Sequence, residues 1–365
     1  MRAEPCADPA GAAFVYAPQG SAAFNRRLDA CLAELAQDVT DACGPDLVGL
    51  VLGGGYGRGE GGVWSVDGVE CAYNDLDLVI VQTSHRVNPR LEAIGARYHA
   101  RLGIDVDFSR PLTPADIAGW EHRLMWHDLA AGHRVLAGPP DLIQRLAPAW
   151  GPAPLPLVEA ARLLLNRGAG LVWAARVQRG TVPAPDRDFL RRNVQKAVLA
   201  LGDALLIAAG AYRTPGVAKL DALRQLASTG AVPAHPRLLD LYRRALEFKL
   251  RPDAPRRAPV PDASWAETAQ LWGRTFRWVE ERRLARPFAD LDAYASWRGA
   301  REPPEHTWAR LPRNLWVNAR CGRLSLFYPR EHLYRSIPRT LGLTRADRAT
   351  DAEAGAFLEL WKHCN

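Results

Sequence analysis

The sequence predicts an α/β N-terminal domain, a small mixed sheet with flanking helices, followed by an all-α C-terminal domain. Three observations predict it. Short apolar runs of strand length alternate with amphipathic segments over roughly the first 110 residues, the pattern of an α/β unit. Four prolines (Pro148, Pro152, Pro154 and Pro156) crowd the stretch from Ala147 to Pro156, and proline cannot continue a helix. Beyond that stretch the apolar residues recur at helical spacing. The expected division is 1–146 for the α/β domain, 147–156 for a proline-rich linker and 157–365 for the helical domain.

Ser21 to Cys43 reads as an amphipathic helix, because Phe24, Leu28, Leu32, Leu35 and Val39 fall on one face at steps of three and four. Leu47 to Leu52 reads as a buried strand closed by Gly53, Gly54 and Gly55. Leu76 to Val81 is a second apolar strand, Arg90 to Leu102 a helix, and Ile104 to Phe108 a third strand with strict alternation. Between the first two strands, Val63 to Ala72 suits a hairpin turning at Asp67-Gly68. A further helix is expected from Thr113. Trp120, His122, Arg123, Trp126 and His127 are placed together on a helix, as an aromatic core stripe. In the second half, helices are expected over Leu157–Val177, Asp186–Ala211, Val217–Ser228, Pro236–Leu250 and Ala263–Arg283. The tail from Leu311 to Pro338 is apolar in places and is expected to pack back on the body.

A chain of 365 residues, with 48% hydrophobic and 24% charged residues, is long enough to bury a core and too apolar for wholesale disorder. The net charge is +7, yet the lysines are only Lys196, Lys219, Lys249 and Lys362, and the arginines are scattered among acids. A dedicated nucleic-acid surface is therefore not expected. The six cysteines form no CxxC pair or regular spacing, which points to reduced thiols and a cytoplasmic protein and away from a disulfide framework or a zinc site. Met1 to Gly20 lacks a basic segment followed by an apolar core, so no secretory leader is expected. The longest apolar run, Ala197 to Ala211, is too short to span a bilayer and contains Asp203, so no membrane partner is expected.

Chemistry concentrates between Leu52 and Val81, LGGGYGRGEGGVWSVDGVECAYNDLDLVIV. Glycines let a backbone adopt positive φ and approach a ligand closely. A chain leaving a buried strand through such a turn presents consecutive N–H groups to an anion, and Arg58 adds a planar cationic fork for phosphate oxygens. Asp75 and Asp77 stand at the start of an apolar strand at i and i+2, which puts both carboxylates on one face. Two such charges about 6 Å apart repel by about 3 kcal/mol at an effective dielectric near 20, a cost that a divalent cation offsets. Mg²⁺ takes oxygen ligands and shares them with substrate phosphates. A third carboxylate comes from Gly103-Ile104-Asp105-Val106-Asp107-Phe108. Asp107, at the strand's exit, is preferred, and Asp105 is a competitor.

Gly54-Gly55-Tyr56-Gly57-Arg58-Gly59-Glu60 followed by Asp75-Leu76-Asp77 resembles the signature of the DNA polymerase β-like nucleotidyltransferase superfamily. That signature is a Gly-Gly or Gly-Ser pair, a spacer, an Asp-x-Asp or Asp-x-Glu, and a third carboxylate on a later strand. The resemblance covers roughly the first 110 residues. It implies a nucleotidyltransferase fold for the N-terminal domain, two Mg²⁺ ions held by Asp75, Asp77 and Asp107, and a nucleoside triphosphate on Gly54 and Gly55. It further implies transfer of a nucleoside monophosphate, AMP from ATP being favoured, to an acceptor hydroxyl of a small molecule or protein, with release of pyrophosphate. Two departures stand out. Gly55 replaces the serine of many members, so backbone N–H must serve where a hydroxyl would, and the spacer from Tyr56 to Asn74 is longer than usual.

In the helical half, Asn193, Lys196, Ala200 and Asp203 share one face of an otherwise apolar helix. Lys196 is a candidate triphosphate contact, with Asp203 orienting it or meeting the acceptor. Asn166 and Arg167 are weaker candidates. Two other readings compete. An RNA-end nucleotidyltransferase calls for clustered arginines and interleaved aromatics. A non-catalytic toxin–antitoxin module calls for an arginine and a histidine on one helix, which Arg301 and His306 match in spacing but with Pro303 and Pro304 between them.

Overall fold

Ser21 opens the first helix, α1 (Ala22–Cys43), by accepting a hydrogen bond from the Phe24 amide at 3.1 Å, as a good N-cap does. In this computed structural model the structure describes residues 14–151, 153–186, 188–252, 262–302 and 308–364. The chain divides into two compact units, Met1–Pro152 with Glu247–Ala254, and Ala153–Leu246 with Pro255–Asn365. The sequence reading ends the first domain at residue 146, gives 147–156 to a linker and assigns everything from residue 157 on to the second. The return of Glu247–Ala254 rests on contacts far apart along the chain. Lys249 pairs with Glu60 at 2.8 Å, and Phe248 meets Tyr73 edge-on with ring centroids 5.9 Å apart.

In the first unit α1 is followed by β1 (Leu47–Leu52), a single helical turn α2 (Gly54–Gly57), the hairpin β2 (Gly62–Val66) and β3 (Val69–Tyr73), and β4 (Asp75–Gln82). Then come α3 (Arg90–Leu102), β5 (Asp105–Phe108), α4 (Pro114–Ala118), α5 (Leu124–Ala131), β6 (Arg134–Ala137) and α6 (Leu142–Leu146). The sheet order is β5-β4-β1-β6, with β4 parallel to β5 and the other pairs antiparallel, so the sheet is mixed. The β4–α3–β5 crossover supplies the parallel pair.

Alternation along the strands sorts the two faces. Leu50, Leu52, Leu76, Leu78 and Ile80 pack with Leu28, Leu32, Leu35 and Tyr98 of α1 and α3. Val51 and Val81 pack on the other face with Ile117, Leu129, Leu142 and Ile143 of α4, α5 and α6. The hairpin turns where the sequence placed it, with Asp67 and Gly68 both at positive φ (50° and 81°). The strand β6 escaped the sequence reading, and α5 starts later than expected. Trp120, His122 and Arg123 precede α5, while Trp126 and His127 lie on it. The helical spacing of these residues reflects ring stacking instead: Trp120 lies on Trp126 with centroids 4.3 Å apart, and His122 on Trp150 at 4.8 Å.

The second unit is built from α7 (Leu157–Gln178), α8 (Phe189–Ala208), α9 (Gly216–Ser228), α10 (Pro236–Leu250, its last turn in the first unit), α11 (Asp262–Arg283), α12 (Leu291–Ser296), α13 (Leu311–Arg320), α14 (Pro329–Thr340) and α15 (Asp351–Cys364). The tail is helical, and Leu333, Tyr334 and Ile337 of α14 are fully buried. Among the described residues no helix is long and apolar enough to cross a membrane.

Candidate functional site

The glycine turn begins where buried β1 ends. The Gly53 amide donates to the Asp77 carbonyl at 2.8 Å, the Gly57 amide to Gly53 and the Glu60 amide to Gly55, each also at 2.8 Å. These bonds fix a turn whose opening amides, those of Gly54 and Gly55, belong to the positions a helix leaves without internal partners. Gly54 has φ +59°, and a Cβ built on it would sit 1.8 Å from Oδ2 of Asp77. Glycine is required there twice over, for its backbone and for the space the carboxylate occupies. Gly54→Ala is therefore expected to lose about 1–3 kcal/mol from the left-handed backbone alone, and to push Asp77 aside. Thermal unfolding checks this. Gly55→Ala, whose Cβ would come no closer to any atom than 3.3 Å, at the Glu60 carbonyl oxygen, is expected to lower Tm much less.

Asp75 and Asp77 share one face of β4. In the parallel pair with β5, Asp75 stands opposite Asp105 and Asp77 opposite Asp107. Neighbouring strands run about 4.8 Å apart, so four carboxylates line one face in two rows. Farther along that face Val79 and Val81 belong to the core beneath α4, α5 and α6, and the acids lie beyond that cover. Asp75 is half-buried and the other three are exposed. Asp105 has the His99 imidazole beside it, with Nδ1 at 3.4 Å and also 3.0 Å from the Ile104 carbonyl oxygen. Asp107 reaches solvent but is partly desolvated by its neighbours, and this, followed by the charges of Asp75 and Asp105, raises its pKa above the ordinary carboxylate value.

A raised carboxyl pKa has a definite sign for stability. Asp107 is most favourable when protonated, and its contribution declines as pH rises through the folded value. Asp107→Asn is thus expected to raise Tm at pH 7 without divalent cation, and the gain should vanish below both the folded and unfolded pKa values. Added Mg²⁺ should raise the Tm of the wild type more than that of the variant, since a ligand of the folded form stabilises by mass action. Differential scanning calorimetry with and without Mg²⁺ reads both effects.

Several side chains hold this arrangement in place. Asn74, at φ +85°, donates its side-chain amide to Oδ1 of Asp75. The sequence reading passed over it, although an asparagine just before the first acid is a residue that tolerates positive φ. The Tyr56 hydroxyl donates to the Gly62 carbonyl at 2.5 Å and accepts from the Tyr73 amide at 2.8 Å, which ties the turn to the hairpin. Arg58, mostly buried, lies 3.6 Å from Glu60, which also carries Lys249. It is therefore part of an ion-pair cluster at the turn. A cleft of about 460 Å³ runs along the outer edge of β5, lined in part by Asp105, Asp107, His99 and Arg110.

The helical-unit candidates lie on elements of the second unit. Lys196 is half-buried on α8. The two oxygens of Asp203 accept from Lys219 Nζ at 3.0 Å and from the Tyr242 hydroxyl at 2.6 Å, which gives this acid a structural role. Asn166 accepts from Trp361 Nε1 at 3.1 Å. Arg301 is buried and donates to the Tyr294 and Trp297 carbonyls at 2.5 and 3.0 Å. It is thus a core residue, while His306 lies outside the described residues.

The donor set suits a hard divalent ion. Mg²⁺ is held by one or two carboxylates with water and substrate oxygens completing its shell, so a row of facing carboxylates serves it, although among the described residues no three His, Cys, Asp or Glu side chains form a closed ligand group. In comparisons with known proteins, no protein-family model matches the chain and no curated protein matches its sequence.

Proposed function

We propose that the chain is a Mg²⁺-dependent nucleotidyltransferase that moves a nucleoside monophosphate, AMP from ATP being favoured, onto an acceptor hydroxyl and releases pyrophosphate. The observation that carries the reading is the contact of the Asp77 carboxylate with the Gly54 turn, with Asp107 facing it across the parallel strand pair. Phosphoryl-type transfer asks for positioning and charge neutralisation more than for covalent chemistry, and this site joins an anion-accepting turn to a carboxylate row. Asp75, Asp77 and Asp107 would hold the ions, which when bound polarise the transferring phosphate and neutralise charge on the attacking and leaving oxygens. The Gly54 and Gly55 amides take the triphosphate, and Arg58 contributes positive potential at the turn. Asn74 orients Asp75. The cleft beside β5 is the place for the acceptor. A cytoplasmic setting goes with this reading. The direct test is incubation of the full chain with labelled ATP, in the presence and absence of Mg²⁺, against a panel of hydroxyl acceptors. Metal-dependent pyrophosphate release supports the proposal, and its absence with every nucleoside triphosphate sinks it.

A further inference from the structure

From Trp308 to Arg330 the chain carries Arg310, Arg313, Arg320, Arg323 and Arg330 and no acidic residue. The loop between α13 and α14 lies within this stretch, and its apolar side chains point away from the core. Leu324 is fully exposed, Leu326 is 60% exposed and Phe327 52%. They are not exposed because the loop is loose. The Asn318 side chain, itself buried, donates to the Ser325 carbonyl at 2.8 Å and to the Phe327 carbonyl at 2.9 Å. The backbone is thus held from beneath while three large apolar groups stand in water. Trp316, one turn from the end of α13, adds to the same character, with Arg320 over its ring at 4.9 Å.

The loop also borders buried polar atoms that have nothing to bind. Nη1 of Arg323, Nε2 of His332 and Nε of Arg335 are buried without hydrogen-bond partners among the described residues. His332 and Arg335 lie three residues apart on α14 and so share a face, and Arg335 sits 5.7 Å from the Phe327 ring. Burial and the charges of Arg323 and Arg335 push the His332 imidazole down to about 4, so it stays neutral beside two cations. A buried donor without an acceptor is costly. An anion with several oxygens removes that cost, and a guanidinium fork matches phosphate.

We propose that the α13–α14 loop docks the second unit onto an anionic phospholipid surface, with Arg323 and Arg335 taking headgroup phosphate and Leu324, Leu326 and Phe327 entering the acyl boundary. The chemistry selects this partner. Arg330 is held by Glu302 at 3.7 Å, but Arg310, Arg313, Arg320 and Arg323 make no ion pair among the described residues. Such a set complements a negative leaflet, and rigid exposed aliphatic groups gain by leaving water. Phe327 and Trp316 would suit either a lipid or a nucleic-acid surface, but Leu324 and Leu326, the most exposed apolar groups of the loop, have no π-face on which nucleotide bases could stack and favour the lipid. Docking of this kind lies in the interface and needs no spanning helix.

The test is co-sedimentation of the full chain with phosphatidylcholine vesicles and with vesicles enriched in phosphatidylglycerol. The wild type should sediment with the second and not the first. The Leu324→Ser/Phe327→Ser double variant should bind the anionic vesicles about tenfold more weakly or worse, and Arg323→Gln about fivefold more weakly. All should keep the wild-type Tm, and Leu326→Ser repeats the test on a single exposed side chain should the double variant lose stability. Equal binding by wild type and apolar variants overturns the proposal, as does absence of sedimentation with anionic vesicles. Thermal stabilisation by inorganic phosphate without vesicle binding assigns the donors to a free anion, and also overturns it. Binding of single-stranded RNA that survives Leu324→Ser/Phe327→Ser but not Arg323→Gln does so in favour of nucleic acid.

Discussion

Asp77→Asn is expected to lower metal-dependent pyrophosphate release from ATP by on the order of 10²–10³-fold or more, the scale on which a single electrostatic group contributes to a transition state. Asparagine keeps the shape that fits against Gly54, so the turn should stay in place and Tm should not fall. What the substitution removes is the negative charge and one oxygen donor at the position nearest the glycine turn. Asp105→Asn is the informative contrast. Asp105 faces Asp75 across the strand pair, has His99 beside it, and lies one register step away from Asp77. Its loss should leave the rate within a few-fold. Equal rates for wild type and Asp77→Asn would remove Asp77 from the chemistry, and a larger effect at Asp105 than at Asp107 would exchange those two acids.

Much of the first unit was legible because local signals agreed with one another. The α1 face, the β1 run and the Arg90–Leu102 helix announce themselves through apolar spacing, and the structure returns β1 and α3 with the same ends. The glycine turn was visible too, but the reason for Gly54 was not. That reason is a carboxylate more than twenty residues farther along the chain. The choice between Asp105 and Asp107 was ambiguous on physical grounds. Alternation puts both on one face, and only the register with β4 gives each a different partner. The strand β6 has four residues, all half-buried, and no composition marks it. The stripe from Trp120 to His127 has helical spacing, yet stacking between rings produces it from residues partly outside a helix. Lys249 pairs with Glu60 across nearly two hundred residues, a contact no window of sequence contains. Local patterns are written in neighbouring residues, and partners are not.

The largest expected effect on stability lies in the second unit, at Glu302. Its side chain is inaccessible to solvent and accepts from Arg162 Nη2 at 2.7 Å and from the Tyr334 hydroxyl at 3.2 Å, with Arg330 at 3.7 Å. Glu302→Gln keeps the shape and deletes the charge, leaving the mostly buried Arg162 with Glu159, at 2.9 Å, in place of two anions. Breaking one side of a buried pair costs about 3–5 kcal/mol, a large part of the roughly 5–15 kcal/mol that holds a domain together. Glu267→Gln, at an exposed pair with Arg237, should cost no more than about 1 kcal/mol. Denaturant midpoints of the two variants read the difference. The pH dependence carries a sign as well. Burial opposes ionisation of Glu302, but the hydrogen bond and charge of Arg162, followed by Arg330 and Arg283, outweigh it and lower its pKa. Its stabilisation is therefore complete above the ordinary glutamate pKa and is lost as pH falls through the lower, folded value. Glu331 acts in the opposite direction, because burial raises its pKa in spite of the Arg301 and Glu302 amides that donate to it. The quantity to follow is thus the gap between wild type and Glu302→Gln, which should be widest near neutrality and close in acid. A gap that stays constant from pH 7 down to pH 2 would show that lost packing, and not lost charge, explains the destabilisation.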